Sequence, residues 1–293
     1  MKPKNTLARF FDGYVEKPDV WEKRTGYKMA NRQVGYRGTK FSDKCFQRQL
    51  RETYNDGNVY PLEGLTVKEI SFKVAQDFIL KYEWLGTMGT TKFSFGVFHG
   101  NVLLGVSCYG LTAGTGALSE PFGEDQKDKG IVLVRGACSH EAHPHTASYL
   151  IGQCKKKLLD KGYKFVIAYS DPEAGEIGTI YQATNWLFYG FTSPVNYLIR
   201  PDGKRVDPKI IHKYAKKNGV TSQEQKQTFL DEGYTFEKGS RKMKYILLLG
   251  NGKEVKLMKK QLKVKIHPYL KRETGMENLY NHWLNLQKEV SVL

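Results

Sequence analysis

The chain has 293 residues, of which 40% are hydrophobic, so it can bury a sizeable core and is not a disordered tail. Its longest apolar runs, such as residues 245–249, are too short to cross a bilayer, and its first residues lack the apolar stretch of a secretory signal. Four scattered cysteines indicate free thiols in a reducing compartment, so we expect a cytoplasmic protein.

The net charge of +16 is unevenly distributed along the chain. Residues 1–60 hold 13 Lys and Arg against 7 Asp and Glu, residues 61–199 hold 12 against 13, and residues 200–293 hold 21 against 10. Basic flanks around a neutral centre indicate a polyanionic partner, DNA or tRNA. The alternatives are a basic surface that merely keeps the chain in solution and a membrane surface, for which no basic amphipathic helix with an apolar anchor face is evident.

The first half of the chain predicts helices and strands in alternation. Residues 1–60 mix basic side chains with aromatic rings, which either stack on unpaired bases or pack this extension onto the core. Thr66 and Glu69 have the spacing of a capping box and predict a helix that runs to about Leu80. Two β-type runs, 92–98 and 102–109, are joined by Gly100-Asn101 and predict a hairpin.

The second half continues this alternation. The pattern predicts a central strand at 131–135, an amphipathic helix at 148–159, a strand at 164–170 and a short helix at 178–185. It also predicts short strands at 196–199 and 204–206 around a turn, and a hairpin at Asn251-Gly252 between strands 244–249 and 254–258. Together these elements predict a mixed α/β sheet with helices on its faces.

One cluster of candidate functional residues follows the strand that ends at Ser170. Asp171 and Pro172 come directly after it, at the carboxyl end of a strand where α/β sheets bind ligands. Asp171 is either a general base or the cap of the next helix. Ten residues on, Tyr181 is either a proton donor or an ordinary buried tyrosine.

A second cluster follows the strand at 131–135. Arg135 ends that strand, where a buried charge needs either an anionic ligand or a carboxylate. The loop after it contains Cys138, His140, His143 and His145, a weak candidate set for iron or zinc that lacks a recognised zinc spacing. Ser148 opens the next helix, where its hydroxyl either caps the backbone or contacts a donor.

The central part of the chain resembles the Mom-like family of phage DNA-adenine modification proteins, whose fold is similar to that of GNAT acetyltransferases. The resemblance spans roughly residues 65–272 and is strongest in Ala168-Tyr-Ser-Asp-Pro172 and in Gly178-Thr-Ile-Tyr-Gln-Ala-Thr-Asn-Trp186 with Tyr189-Gly190. Weaker support comes from the segments Trp84-Leu-Gly86, Val134-Arg135 and Ser148-Tyr-Leu150, and from residues 202–205, 244–249 and the basic tail near Lys259.

The resemblance implies a GNAT-like core at 61–200, with a basic aromatic N-terminal extension at 1–60 and a basic nucleic-acid-binding part at 201–293. It implies transfer of an acyl or aminoacyl-derived group to the N6 amine of adenine in DNA, which protects phage DNA from restriction in the bacterial cytoplasm. The implied catalytic residues are Arg135, Ser148, Asp171 and Tyr181. Where related chains are expected to have a histidine, this chain has Glu83 and Trp84, so either Glu83 substitutes as the general base or catalysis does not need the histidine.

The donor implied by a GNAT-like fold is acyl-CoA, but the loop after Cys138 lacks the glycine pair whose N–H groups cradle a pyrophosphate. An aminoacyl-tRNA is the alternative donor, and it suits a basic protein. The target base must be flipped out of the helix or presented on an open strand. The side chains expected to hold it are Trp84, Ser170, Gln182, Asn185 and Trp186.

The basic series after residue 200 is predicted to contact phosphates without reading sequence. The nucleic-acid-binding residues expected from it are Lys204, Arg205, Arg241, Lys242, Lys259 and Lys260. Between residues 256 and 265 basic and apolar side chains alternate, which predicts an element with one face on the core. Two other functions remain compatible with the sequence: an acetyltransferase acting on a protein or small molecule, and a non-catalytic DNA- or tRNA-binding protein.

Overall fold

The computed structural model describes residues 59–83, 88–111, 116–139, 141–172, 176–194, 196–203, 205–206, 208–238 and 241–270. The extension expected at 1–60 lies almost wholly outside these residues, as do Trp84, His140 and Lys204. The chain divides into two compact units, Phe191–Lys242 and the rest, and each is described by itself. No helix in the described ranges has the length and apolar character needed to span a membrane.

The strands and helices alternate along the chain. In chain order they are β1 (Leu65–Glu69), α1 (Phe72–Tyr82), β2 (Thr90–His99), β3 (Val102–Leu111), β4 (Gly130–Cys138), α2 (Thr146–Asp160), β5 (Phe165–Ser170), α3 (Thr179–Ala183), β6 (Leu187–Phe191), β7 (Asn196–Ile199), β8 (Arg205–Val206), α4 (Lys209–Asn218), α5 (Ser222–Asp231), β9 (Thr235–Lys238), β10 (Met243–Leu248) and α6 (Gly252–Gln261). The predicted mixed α/β class is therefore confirmed.

The larger unit is built on a seven-stranded sheet with the order β1-β2-β3-β4-β5-β10-β6. Strands β1 to β4 pair antiparallel in sequence, and β5 pairs antiparallel with β10. In the middle of the sheet, β4 and β5 run parallel. The predicted hairpin at Gly100-Asn101 joins β2 and β3, and Gly100 has the positive φ of 56° that such a tight turn requires.

Helices cover both faces of this sheet. Val106 and Cys108 of β3 pack with Ala75 and Ile79 of α1. Ser107, which lies between them and therefore points to the other face, contacts Cys154 of α2. A second cluster, centred on Phe165, Ile167 and Ile246, is covered by α6. The sheet is thus buried from both sides through its middle strands.

Two local predictions were wrong, because in each case a different partner satisfies the backbone. Thr66 and Glu69 do not cap a helix, since they lie in β1 and pair with β2. Helix α1 begins later and is capped by Ser71, whose hydroxyl accepts from the Val74 N–H at 3.3 Å. The segment predicted as a strand after Asn251 is instead helix α6.

Asn251 is the N-cap of α6 rather than part of a hairpin. Its side-chain oxygen accepts from the N–H groups of Lys253 and Glu254, at 3.0 and 3.1 Å. The Glu254 carboxylate accepts in return from the Asn251 N–H at 2.8 Å. This reciprocal capping box starts a helix whose Val255 and Met258 pack on the core, which confirms that one face of the basic segment rests on the core.

The smaller unit, Phe191–Lys242, has a three-stranded sheet with the order β8-β7-β9 and a pair of helices, α4 and α5. The two predicted strands around Pro201-Asp-Gly203 are β7 and β8, which pair antiparallel. A three-residue turn begins at Gly219, which has a φ of 68°, and joins the helices. Leu198, Ala215 and Phe229 are the buried residues that hold this unit together.

Replacing Asn251 by Ala removes the acceptor for two otherwise unsatisfied N–H groups of α6. We expect Asn251→Ala to lower the free energy of unfolding by about 1 kcal/mol, measured by urea denaturation. Asn251→Asp keeps an acceptor at the same position and should stay within about 0.5 kcal/mol of the parent chain. Equal losses in both variants would contradict the capping role.

Candidate active site

A cleft opens in the middle of the sheet where β4 and β5 part. The two strands pair over three residues only, from Gly130 opposite Phe165 to Val132 opposite Ile167. Beyond this point β4 continues to Cys138 and β5 to Ser170 without pairing to each other. The irregularity that bends β4 lies at Val134, because Leu133 faces Tyr109 and Arg135 faces Cys108 on β3. Ser170 and Asp171 therefore end β5 at the open side of the sheet.

Tyr181 lies beside this opening, on the short helix α3. Its hydroxyl donates to the carbonyl oxygen of Tyr169, near the end of β5, at 3.5 Å. Its ring lies between two others, with centroids 5.0 Å from the Trp186 ring and 5.2 Å from the Tyr245 ring. The ring is thus held by packing, while the hydroxyl is directed at the end of β5.

The block from Gly178 to Trp186 folds as one turn that supports Tyr181. Gly178 has a φ of 68°, and a Cβ there would come within 2.4 Å of the Tyr245 ring, so only glycine fits. Thr184 ends the helix by donating its hydroxyl to the Ile180 carbonyl at 2.7 Å. Asn185 follows with a left-handed φ of 63°, and the Trp186 N–H then returns to the Tyr181 carbonyl at 3.0 Å.

Gln182 fastens this turn to the strand beside it. Its amide nitrogen donates to the Ile177 carbonyl at 2.9 Å and to the Tyr245 hydroxyl at 3.2 Å. The Tyr245 hydroxyl donates to the same Ile177 carbonyl at 2.7 Å. A third bond, at 3.4 Å, reaches the carbonyl of Leu270. These bonds use the amide nitrogen within the fold, so the predicted contact of Gln182 with the base has no support here.

The Tyr181 phenol is kept protonated by its surroundings. Withdrawal from water raises the pKa of Tyr181 most, and the charges of Glu176, Tyr245 and Glu83 raise it further. A phenol with a raised pKa is neutral throughout the physiological range and can donate a hydrogen bond or a proton. The two carboxylates thus lie close enough to Tyr181 to act on it electrostatically.

Glu83 and Asp171, two of the predicted catalytic residues, lie on different elements. Glu83 follows α1, is only 8% exposed, and donates its N–H to the Ile79 carbonyl at 2.8 Å. Asp171 is half-buried and exchanges backbone contacts with Glu176, whose N–H donates to the Asp171 carbonyl at 3.0 Å. Through their charges the structure associates Tyr181 with Glu83, a predicted catalytic residue, and with Glu176, whose backbone is bonded to that of Asp171.

Ser170 supplies an unsatisfied polar group at the same place. Its side chain is 2% exposed, and its hydroxyl has no hydrogen-bond partner among the described residues. A buried hydroxyl without a partner is costly, so this position favours a polar ligand or an ordered water. The predicted substrate contact at Ser170 remains a prediction that agrees with this geometry.

Trp186 cannot stack on a base as predicted. Its side chain is completely buried, and one ring neighbour is Tyr181 itself. The residue serves as the floor on which the Tyr181 ring rests. Asn185 is exposed, and its left-handed backbone explains its place in the block as the end of α3. Trp84, the remaining predicted base contact, lies outside the described residues.

The loop between β4 and α2 uses its own N–H groups internally. The Ala142 N–H donates to the Ser139 carbonyl, the Thr146 N–H to the His143 carbonyl, and the His145 N–H to the His143 ring at 3.1 Å. The Ser148 hydroxyl donates to the His145 carbonyl at 2.8 Å. Ser148 thus closes the first turn of α2, and no hydrogen bond in the described ranges joins it to Tyr181.

The candidate metal ligands of this loop are only partly described. Cys138 is buried, His143 is half-buried and His145 is exposed, while His140 lies outside the described residues. Within the described ranges no three His, Cys, Asp or Glu side chains are grouped as metal ligands would be. Iron or zinc at this loop stays a prediction from the sequence.

Arg135 occupies the bulged part of β4, with its guanidinium donating to the Val134 carbonyl at 2.5 Å. Its charge acts on the thiol of Cys108, which it faces. Burial nevertheless raises the pKa of Cys108 to about 11, more than the Ser94 hydrogen bond and Arg135 lower it. Cys108 is thus an inert thiol, and Arg135 remains a candidate for binding an anionic group in the cleft.

The predicted nucleic-acid contacts lie in both units. In the smaller unit, Arg241 and Lys242 are half-buried and bind Thr192, the first through its guanidinium and the second through its backbone N–H. In the larger unit, Lys259 and Lys260 are fully exposed in the last turn of α6. Lys204 and the side chain of Arg205 lie outside the described residues. Arg241 and Lys242 therefore hold the ends of their unit together, whereas Lys259 and Lys260 face the solvent.

Sequence reasoning missed Glu176, Tyr169 and Tyr245. Glu176 follows a segment that reads as an ordinary glycine-containing loop, and Tyr245 reads as one apolar residue in a strand. Only the pairing of β10 with β5, which places Tyr245 opposite Ala168, shows that this tyrosine supports the site. No local signal in the sequence could reveal this, because the two strands are separated by more than seventy residues.

Several solved acetyltransferase structures are similar to this chain. A ribosomal-protein-S18-alanine N-acetyltransferase from Escherichia coli shares 7% identity, with a TM-score of 0.36 over 64% of this chain and 96% of that one. An N-acetyltransferase from Staphylococcus aureus shares 12% identity, with a TM-score of 0.35 over 64% and 99%. An IAA acetyltransferase from Bacillus cereus shares 9%, with a TM-score of 0.34 over 63% and 99%.

The expected mixed sheet flanked by helices is confirmed by the strand order and the helices on its faces. No curated protein matches the chain in a sequence comparison. The sequence model of the Mom protein family, in contrast, matches residues 64–271, which is most of the chain and includes the cleft, the Tyr181 turn and α6. The chain therefore belongs to the Mom protein family.

Proposed function

We propose that this protein transfers an acyl or aminoacyl-derived group to the N6 amine of adenine in DNA and so protects the DNA from restriction. The observation that carries the proposal is the Tyr181 phenol, held protonated beside the cleft with two carboxylates near it. Membership of the Mom family supports DNA as the substrate, and the basic flanks of the sequence support a polyanion.

The reaction requires a base and an acid on opposite sides of the acyl carbon. The N6 nitrogen forms a bond to the acyl carbon and loses one proton, while the bond from that carbon to the sulfur or oxygen of the donor breaks. The departing atom takes up one proton, so no oxidant or reductant is needed. A buried carboxylate is suited to the first proton and a neutral phenol to the second.

Tyr181 is the acid in this scheme. Its phenol carries a proton at neutral pH, and its packed ring fixes the direction of the hydroxyl. Positioning of this kind lowers the barrier because the donor atom need not search for its proton source. Ser170, whose buried hydroxyl has no partner among the described residues, is suited to bind the acyl oxygen or the base.

Glu83 and Asp171 are the candidates for the base. Glu83 is the more buried of the two, and its charge acts on Tyr181, which supports it as the base. Asp171 lies at the carboxyl end of β5, bound through its backbone to Glu176. We assign the base to Glu83 and give Asp171 the role of holding the segment that carries Glu176.

The donor is an activated acyl group whose carrier is not held by the usual pyrophosphate nest. In the loop before α2, the N–H groups of Ala142, His145 and Thr146 are bound within the loop itself. These residues do not fit the pyrophosphate of coenzyme A in the way a glycine-rich loop does. This favours an aminoacyl-tRNA donor over acyl-CoA.

Tyr181→Phe should abolish the modification while the protein folds normally. The phenyl ring keeps its packing against Trp186 and Tyr245, but the proton for the leaving atom is lost, so we expect at least a roughly 100-fold fall in product. The measurement is mass spectrometry of nucleosides digested from plasmid DNA after expression in bacteria. A heavier deoxyadenosine should appear with the parent chain only.

The nucleoside experiment also decides the function. The mass of the new nucleoside identifies the transferred group, and purified protein supplied with acyl-CoA or with charged tRNA identifies the donor. If the DNA of the native host contains no modified adenine while the protein is present, DNA modification is excluded. Modified RNA in the same digests would instead make RNA the substrate.

Glu83→Gln and Asp171→Asn separate the two candidate bases. If Glu83 accepts the proton, Glu83→Gln lowers the rate about 100-fold or more at neutral pH, and hydroxide partly restores it as pH rises. Asp171→Asn, which keeps the backbone bonds to Glu176, should lower it less than tenfold. The reverse order in a pH series of initial rates would transfer the assignment to Asp171.

A further inference from the structure

We propose that the exposed face of α4 is the surface by which this protein binds the phosphate backbone of duplex DNA. The proposal rests on the proposed function for the identity of the polyanion, but its observations lie entirely in the smaller unit, whereas the residues assigned to catalysis belong to the larger one. It predicts that binding and transfer can be lost separately.

All the cationic residues of α4 lie on one side of the helix. They are Lys209, His212, Lys213, Lys216 and Lys217, which follow the spacing i, i+3, i+4, i+7 and i+8. This spacing puts side chains on one face of an α-helix, over a length of about 12 Å at 1.5 Å per residue. All five side chains are exposed, and α4 contains no acidic residue.

The other side of α4 is occupied by the unit's own core. Ala215 is buried, and the Tyr214 ring lies 5.6 Å from that of Phe229 on α5. The His212 ring and the Ser222 hydroxyl are joined at 2.7 Å, which fixes the two helices at their junction. The lysine face therefore belongs to a helix that is packed against its own unit, not to a flexible segment.

Three of these lysines form no ion pair within the described residues, namely Lys213, Lys216 and Lys217. The only cation–π contact among them there is Lys217 over the Tyr214 ring, at 6.0 Å. Two acids of this unit bind elsewhere, since Asp202 pairs with Arg200 and Glu224 caps α5. The positive charge of these three lysines is thus available to an external anion.

The helix dipole does not explain this pattern. It favours cations in the last turn, where Lys216 and Lys217 lie, but disfavours a cation at Lys209, the first residue of the helix. Helix α5, its neighbour, has Lys226 against Glu224 and Asp231 and so shows no such bias. The dipole thus accounts for Lys216 and Lys217 but not for Lys209, whereas a row of phosphates matches lysines that extend through the whole helix.

Duplex DNA fits this face better than a lipid surface or a small anion. A small anion needs converging donors, whereas these lysines are spread along 12 Å of helix, as successive backbone phosphates are. The face offers lysines and one histidine, and no apolar anchor that would enter a membrane. Lysine contacts of this type give affinity without reading bases, as an enzyme that modifies many sites requires.

The test is the salt dependence of DNA binding by the variant Lys213→Gln, Lys216→Gln, Lys217→Gln, which retains good helix formers. Binding of a fluorescent 20-base-pair duplex is followed by anisotropy between 50 and 300 mM NaCl. Three lost phosphate contacts should reduce the slope of log K against log salt by about 2.7, at about 0.9 per contact. The control, Lys73→Gln, Lys127→Gln, Lys156→Gln, removes the same charge from the larger unit and should leave the slope within about 0.5 of the parent value.

The outcomes distinguish this proposal from the proposed function. A slope unchanged in the α4 variant, or reduced equally in the control, would overturn the assignment of α4, whatever the chemistry of the cleft. So would a loss of binding to tRNA or single-stranded DNA that exceeds the loss of binding to duplex. Tyr181→Phe should bind duplex DNA like the parent chain. If the parent chain gave no modified nucleoside while its salt slope still depended on the α4 lysines, the transfer reaction alone would be refuted. Unchanged thermal unfolding of the α4 variant confirms that it folds.

Discussion

The site depends on the short stretch over which β4 and β5 pair. Three residue pairs join these strands, and the bulge at Val134 then bends β4 while it stays paired with β3. Without this separation the sheet would be closed by backbone hydrogen bonds at its centre, and the end of β5 would offer no access. Because the strands part, Ser170 and the Tyr169 carbonyl lie at an opening that Tyr181 and Glu83 reach from outside the sheet.

The opening is stabilised by a network that is separate from the reacting groups. Gln182 and Tyr245 converge on one carbonyl, that of Ile177, and Trp186 fills the space beneath the Tyr181 ring. Buried amides and phenols of this kind are costly unless every donor is satisfied, and here the donors of Gln182 are satisfied. The turn therefore holds the Tyr181 ring in place, while the hydroxyl takes no part in this network. Most of the block from 178 to 186 thus supports the position of the Tyr181 ring.

Much of the fold could be predicted from the sequence, because the signals were local. The hairpin at Gly100-Asn101, the apolar run of β4 and the amphipathic pattern of α2 each specify an element by themselves. The errors arose where one short pattern has two solutions. Asn followed by Gly suits a hairpin, but Glu254 three residues after Asn251 completes a capping box. At Thr66, pairing with β2 outweighed a helix-starting pattern.

The sequence indicated candidate residues for the site but not their arrangement. Tyr181, Asp171 and Ser170 were predicted because polar residues after an apolar strand are typical of a ligand-binding edge, and their roles stay a prediction. Burial raises the pKa of Tyr181 most, and the neighbours that raise it further are Glu83 after α1, Glu176 before α3 and Tyr245 on β10, which meet only in the folded chain. Trp186 shows the converse error, since an aromatic residue in a functional block suggests a base contact but is buried against the Tyr181 ring.

Charge and chemistry are separated along this chain for a physical reason. A cleft that must keep a phenol protonated and a carboxylate ready to accept a proton cannot also hold many lysines, because their fields would lower the pKa of both groups. The sequence from 61 to 199 is accordingly near neutral, and the positive charge lies in the flanks. The segment Phe191–Lys242 has 11 Lys and Arg against 6 Asp and Glu, with four of the lysines on α4. In the proposed function, phosphate binding by a separate unit would keep these lysines out of the unit that carries the proposed acid and base.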